Sequence, residues 1–129
     1  MIYLDTSAAL KLVMPEAETA GLEVWIAERA GIPRVSSRLL RIEMLRSVAR
    51  AAPQRMTRAN VVLSSVALVS MDEVAATAEV IGEPTLRSLD AVHLATAQEL
   101  RTGLTALLCY DKRLSDSARA LGLPVESPA

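Results

Sequence analysis

Four acidic residues stand out by their setting: Asp5, Glu43, Asp90 and Asp111. Asp5 closes the apolar run from Met1 to Leu4, and Asp111 closes the run from Thr105 to Tyr110. Asp90 and Glu43 sit inside apolar helical patterns, where a charge is costly. If folding brings the four together, they make an oxygen-only cage for a divalent cation, and the chain is a metal-dependent hydrolase. Two carboxylates ~4 Å apart repel by about 4 kcal/mol at a near-surface effective dielectric, so such a cage requires protons or cations. Oxygen ligands select Mg²⁺ or Mn²⁺ rather than zinc. Such ions lower the pKa of a bound water and clamp a phosphodiester for in-line attack. That chemistry needs no histidine, which suits a chain with one, His93.

Each acid also has an ordinary reading. Aspartate between a strand and a helix commonly caps the helix, which accounts equally well for Asp5 and Asp111. Glu43 is spaced for an i, i+3 ion pair with Arg46, worth only about 0.2–0.5 kcal/mol. Asp90 falls in SLDAVHLATAQEL, where Leu89, Val92, Ala97 and Leu100 are expected to be buried and His93 and Leu94 follow one turn along. Ser88 or Asp90 becomes a cap if that helix starts later. His93 reads as a packed or supporting residue. Thr6 and Ser7 are hydroxyl donors to Asp5 or to a phosphate, with helix capping as the alternative, and Asp116 is either an outer ligand or a solvated acid.

The elements that must position these groups alternate along one domain, residues 1–129. Strands are expected at Met1 to Leu4, Pro33 to Ser36, Leu68 to Ser70, Thr105 to Tyr110 and near Val125. Helices are expected from Ala8 to Met14 (halted by Pro15), Glu16 to Arg29, Arg38 to Ala52 behind Ser37, and Thr57 to Val66. More are expected after Asp72, from Ser88 to Arg101, and from Lys112 to Leu121 with Gly122 as its stop. Strands separated by helices imply parallel pairing in an open α/β sheet covered on both faces. Ligands bind beyond the carboxyl ends of such strands, where Asp5 and Asp111 fall.

Composition excludes several functions. The chain carries 51% hydrophobic and 22% charged residues, the balance of a globular protein rather than a disordered one. One cysteine, Cys109, and one histidine rule out a Cys/His zinc framework and an internal disulfide. No membrane span or signal segment is legible, so a cytoplasmic location is the expectation. A net charge of −1 argues against a generic nucleic-acid coat, but Arg34, Arg38, Arg41, Arg46, Arg50, Arg55 and Arg58 are interrupted by a single acid, Glu43. That imbalance points to an anionic partner. With only Tyr3, Trp25 and Tyr110 as aromatics, nucleic acid would be held by its backbone rather than by base stacking.

The segments MIYLDTSAALKLVMPE, LDAVHLATA and CYDKRLSDSARALGLPVESP, in this order and spacing, resemble the PIN-domain ribonucleases, and more closely the VapC-type toxins of bacterial toxin–antitoxin pairs. The resemblance spans essentially the whole chain. It implies a three-layer α/β/α sandwich around a mostly parallel sheet of about five strands, usually dimeric. It also implies an acidic pocket that binds Mg²⁺ or Mn²⁺ and cleaves RNA. Asp5, Glu43, Asp90 and Asp111 fall on the family's four acidic positions, and Thr6 and Ser7 on its hydroxyl positions. Arg46 and Arg50, with Arg38 and Lys112 as weaker candidates, would steer RNA phosphates. The partner expected from the resemblance is a cognate antitoxin, in a homodimer or toxin–antitoxin hetero-oligomer.

Against a metal-dependent toxin endonuclease stand an RNA-processing nuclease with no toxin role and two readings that are not nucleases. A haloacid-dehalogenase-type phosphatase expects a second aspartate where Ser7 stands, and a receiver domain expects an acidic pair at the first strand end; neither pattern is present. A non-catalytic module could use the same acids to recognise a basic peptide, with no metal requirement.

Overall fold

The computed structural model describes all residues, 1–129. Five strands, β1 (Ile2–Leu4), β2 (Arg34–Ser37), β3 (Ala67–Val69), β4 (Ala106–Leu108) and β5 (Val125–Glu126), form one sheet in the order β3-β2-β1-β4-β5. Every pairing is parallel. Seven α-helices make the crossovers: α1 (Thr6–Lys11), α2 (Thr19–Ala27), α3 (Leu39–Ala51), α4 (Met56–Ser64), α5 (Ala75–Ala78), α6 (Ser88–Glu99) and α7 (Lys112–Ala120). The expected three-layer α/β/α architecture is the one observed.

The two-residue period of a strand sends its side chains to opposite faces and so builds two cores. Ile2, Leu4 and Leu108 pack with residues of α1 to α4, including Ala8, Leu22, Leu40, Met44 and Leu63. Tyr3, Leu107 and Cys109 face the other way, against Leu94 and Ala97 of α6 and Leu114 and Ala118 of α7. With both faces covered, β1 and β4 read as continuous apolar runs rather than alternating ones.

The chain steps from β1 to β2 to β3 on one side of β1, then returns to place β4 on the other. The change of direction opens a crevice between the carboxyl ends of β1 and β4, the usual ligand site of an open parallel sheet. Leu4 lies opposite Leu108, so Asp5 and Asp111 leave the sheet side by side at that crevice.

Several boundaries differ from those expected, each for a local reason. Helix α1 starts at Thr6 because Asp5 caps it, its carboxylate accepting from the Ala8 N–H. It stops at Lys11, and side chains take its last carbonyls: Thr19 Oγ1 donates to Lys11, Arg58 to Leu12 and Arg55 to Val13. Helix α2 loses its expected first turn because Glu16 and Glu18 turn back to the buried Lys11 ammonium, at 3.1 and 3.0 Å. Strand β4 is shorter than the apolar run because the Tyr110 N–H leaves the ladder to donate to Ser7 Oγ. Ser70, rather than Asp72, caps the turn of 3₁₀ helix before α5. Gly122, at φ 78°, ends α7 in the left-handed conformation expected of a helix stop.

Leu89, expected in the core, is 51% exposed, and Val92 is only half-buried. The buried stripe of α6 runs instead through Ala91 and His93 to Ala97. Small residues on that stripe let α6 lie close to the sheet. No helix is long and apolar enough to cross a membrane.

Leu108 is fully buried at the centre of the sheet, so Leu108→Ala is expected to destabilise the fold by about 2–5 kcal/mol. Val80, 83% exposed, is expected to tolerate Val80→Ser within ~0.5 kcal/mol. Urea denaturation of the two variants beside the parent measures both.

Candidate active site

Asp5 and Asp111 both act as helix caps, as their setting between strand and helix allows. Asp5 Oδ1 accepts from the Ala8 N–H (2.9 Å) and Ser7 Oγ (2.7 Å), and Asp111 Oδ1 accepts from the Leu114 N–H (2.9 Å). Capping occupies one oxygen of each. Asp5 Oδ2 meets the Cys109 thiol at 3.1 Å. Burial, and next the negative charge of Asp5, push that thiol's pKa up to about 12, so it stays a donor. Asp5 itself is 3% exposed, and burial raises its carboxyl above the ordinary aspartate range despite the donors from Ser7, Ala8 and Cys109.

Glu43 stands on α3 and faces α6. Its Oε1 accepts from Thr6 Oγ1 (2.5 Å) and pairs with His93 Nε2 (2.9 Å) instead of with Arg46. Burial works to raise the Glu43 carboxyl, but the hydrogen bonds from His93 and Thr6 outweigh it and hold it low. Thr6 therefore serves Glu43 while Ser7 serves Asp5, so the two adjacent hydroxyls divide between two acids.

Asp90 lies in the first turn of α6. Burial foremost, and then repulsion from Asp111, push its carboxyl up; Asp5 and Glu43 add to the repulsion and His93 opposes it. This is the clearest physical sign that the four acids share one field. None of Asp5, Asp90 and Asp111 forms an ion pair with a lysine or arginine. The four stand at one sheet edge without closing into a cage: no group of three or more His, Cys, Asp or Glu side chains is arranged to hold a metal ion.

The remaining candidates lie around this edge in different states. Asp116 is exposed and paired with Lys112 at 2.7 Å, with Arg119 at 4.0 Å. Among the seven arginines, Arg34, Arg55 and Arg58 are committed to Ser65, Val13 and Leu12. Arg38, Arg46 and Arg50 are exposed, and Arg46 and Arg50 line a shallow hollow with Leu45 and Ala49.

Two further residues are prominent: His93, which takes the packed, supporting place expected of it, and Lys11, which sequence patterning did not single out. His93 is 2% exposed and touches Tyr3, Thr6 and Glu43, partners that its i, i+3 spacing from Asp90 does not reveal. Lys11, also buried, sits 4.7 Å from the centroid of the Tyr110 ring, next to Asp111. Burial works against its charge, but the carboxylates of Glu18 and Glu16 hold its pKa up.

The PIN domain family matches residues 2–120. The chain belongs to the PIN-domain ribonuclease family. It is homologous to VapC-type toxins: it is 42% identical to ribonuclease VapC47 of Mycobacterium tuberculosis over 99% of this chain and 97% of that one. It is 40% identical to ribonuclease VapC35 of the same species, over 99% and 97%. Among solved structures, the VapBC2 complex of Rickettsia felis bound to a promoter DNA fragment superposes with a TM-score of 0.70 at 14% identity, covering 100% of both chains. At that identity the superposition speaks for the fold alone.

The stability of this PIN domain carries a pH signature at Asp90. Its folded-state pKa lies above the ordinary aspartate value of 3.8, so folding disfavours the ionised form. The penalty is full above the folded pKa and vanishes below the unfolded one. In metal-free protein Asp90→Asn is therefore expected to raise the melting temperature at pH 7, with the gain shrinking to nothing as the pH falls below about 3.8. Thermal denaturation across that range checks it; an equal gain at all pH values contradicts it.

Proposed function

We propose that this chain is a divalent-metal-dependent RNA endonuclease acting as the toxin of a toxin–antitoxin pair, with Asp5, Glu43, Asp90 and Asp111 as its acidic site. The observation that carries the reading is Asp90, raised by burial and by repulsion from the other acids, opposed only by His93 and paired with no lysine or arginine. A site of uncompensated carboxylates selects a cation.

The donor set fits a hard ion. All four groups offer oxygen, and Asp111, Glu43 and Asp90 each keep an oxygen free of protein hydrogen bonds, which suits Mg²⁺ or Mn²⁺. Asp5, Asp90 and Asp111 would hold the ion, and Glu43 would complete the set or orient the attacking water. When bound, such an ion supplies Lewis-acid charge to the phosphodiester and lowers the pKa of water. The protein's own part is to keep Asp5 and Asp111 at the crevice through their caps and to hold Glu43 ionised through Thr6 and His93. Arg46 and Arg50, exposed and unpaired beside Glu43 on α3, would take RNA phosphates, with Arg38 and the more distant Lys112 at the margin.

The antitoxin assignment rests on kinship with VapC proteins and on charge. A partner that covers an acidic crevice is best served by a basic side chain. The homodimer or hetero-oligomer belongs to the same proposal.

Purified protein incubated with total RNA is expected to cleave it with Mg²⁺ or Mn²⁺ and to stop with EDTA. Asp5→Asn and Asp90→Asn are each expected to lose at least the roughly 10–100-fold that removal of a group behind a metal ligand costs. Full activity in either variant, or in EDTA, removes the mechanism and favours the peptide-binding module. For the arginines, Arg46→Gln and Arg50→Gln are each expected to flatten the slope of log Kd against log salt for single-stranded RNA by roughly 0.7. Filter binding over a salt series measures it, and an unchanged slope excludes them from the RNA path.

A further inference from the structure

We infer that His93 is a positioning residue, which dictates the oxygen that Glu43 turns to the acidic crevice through a hydrogen-bond chain anchored at the Tyr3 hydroxyl. The inference rests on the reading of Glu43 as part of a nuclease site. Tyr3 is the central residue of β1 and is fully buried. Its hydroxyl meets His93 Nδ1 at 2.7 Å, and the two rings pack edge to face with centroids 5.9 Å apart. The other ring nitrogen, Nε2, reaches Glu43 Oε1 at 2.9 Å and lies 3.1 Å from Thr6 Oγ1.

The direction of the chain follows from what each group can do. An ionised carboxylate only accepts, so Nε2 must carry a proton. When the ring is neutral, Nδ1 is then the acceptor and the Tyr3 hydroxyl the donor. Thr6 and His93 both donate to Oε1, leaving Oε2 as the oxygen of Glu43 without a protein donor. A glutamate alone samples many rotamers; here its orientation is referred through a buried ring to the central strand. Asp5 follows the last residue of the same strand, so the two acids share one mechanical reference.

A merely packed histidine would fill the same space, and two measurements separate the roles. His93 is the only histidine, so its ring nitrogens give a single assignable pair in a long-range ¹H–¹⁵N spectrum of the metal-free protein. A protonated Nε2 is expected; an unprotonated Nε2 overturns the inference. Kinetics then use a fluorogenic RNA oligonucleotide built on a cleavage site mapped in total RNA, with Mn²⁺. His93→Ala is expected to lower kcat about 10-fold or more, with KM within about twofold, because the loss falls on transition-state geometry rather than on RNA binding. His93→Gln, whose amide can still donate to Oε1, is expected to recover part of kcat. Equal kcat losses in the two variants, or wild-type kcat in His93→Ala, overturn the positioning role. If His93→Ala does not fold, His93→Gln at or below one-hundredth of wild-type kcat overturns it as well. A wild-type chain that cleaves no RNA overturns the nuclease reading instead, and the ring-nitrogen spectrum still decides whether the chain of donors exists.

Discussion

β1 is hydrogen-bonded in parallel to β2 on one side and β4 on the other, and its three residues are buried against helices on both faces. Its carboxyl end therefore cannot move without disturbing both cores. Asp5 follows immediately, its backbone N–H bonded to Leu108 of β4 at 3.2 Å and its side chain capping α1. Tyr3 reaches His93, and through it Glu43. Ser36 of β2 donates to the Leu4 carbonyl from the other side. One short strand thus supplies the frame against which the acidic edge is set.

That edge is held at a cost. Burial raises Asp5, and burial with repulsion raises Asp90, so two charges stand where the fold alone disfavours them. Glu43 is the exception, because His93 and Thr6 hold it ionised. The contrast shows the acids are not equivalent. Asp5 is locked by hydrogen bonds, Glu43 is oriented by an imidazole, Asp111 is half committed to a cap, and Asp90 is left to repulsion.

The arginines show a similar division of labour. A run that looks uniformly basic in sequence separates into residues that terminate helix α1 or brace β2 and residues that remain free on the surface. Arg55 and Arg58 cap carbonyls more than forty residues away in the chain. Charge counting alone assigns them to an anionic partner; tertiary contact assigns them to the fold.

Local chemistry determined much of this protein. The apolar runs before Asp5 and Asp111, the helix periodicity and the alternation of strands with helices were enough to define a covered parallel sheet and to put two acids at its carboxyl edge, because continuous apolar strands imply burial on both faces and parallel neighbours require helical crossovers. The motif order was enough to indicate the family. Tertiary structure decided what depends on groups distant in sequence. Leu89 is exposed because the roll of α6 follows from how its alanines seat on the sheet. Glu43 turns from its sequence neighbour Arg46 to His93, fifty residues on, because a buried ring is a more constrained donor than an exposed arginine. The placement of the four carboxylates was also beyond sequence, because it depends on how α3 and α6 seat against the sheet; they stand at one edge without closing into a cage.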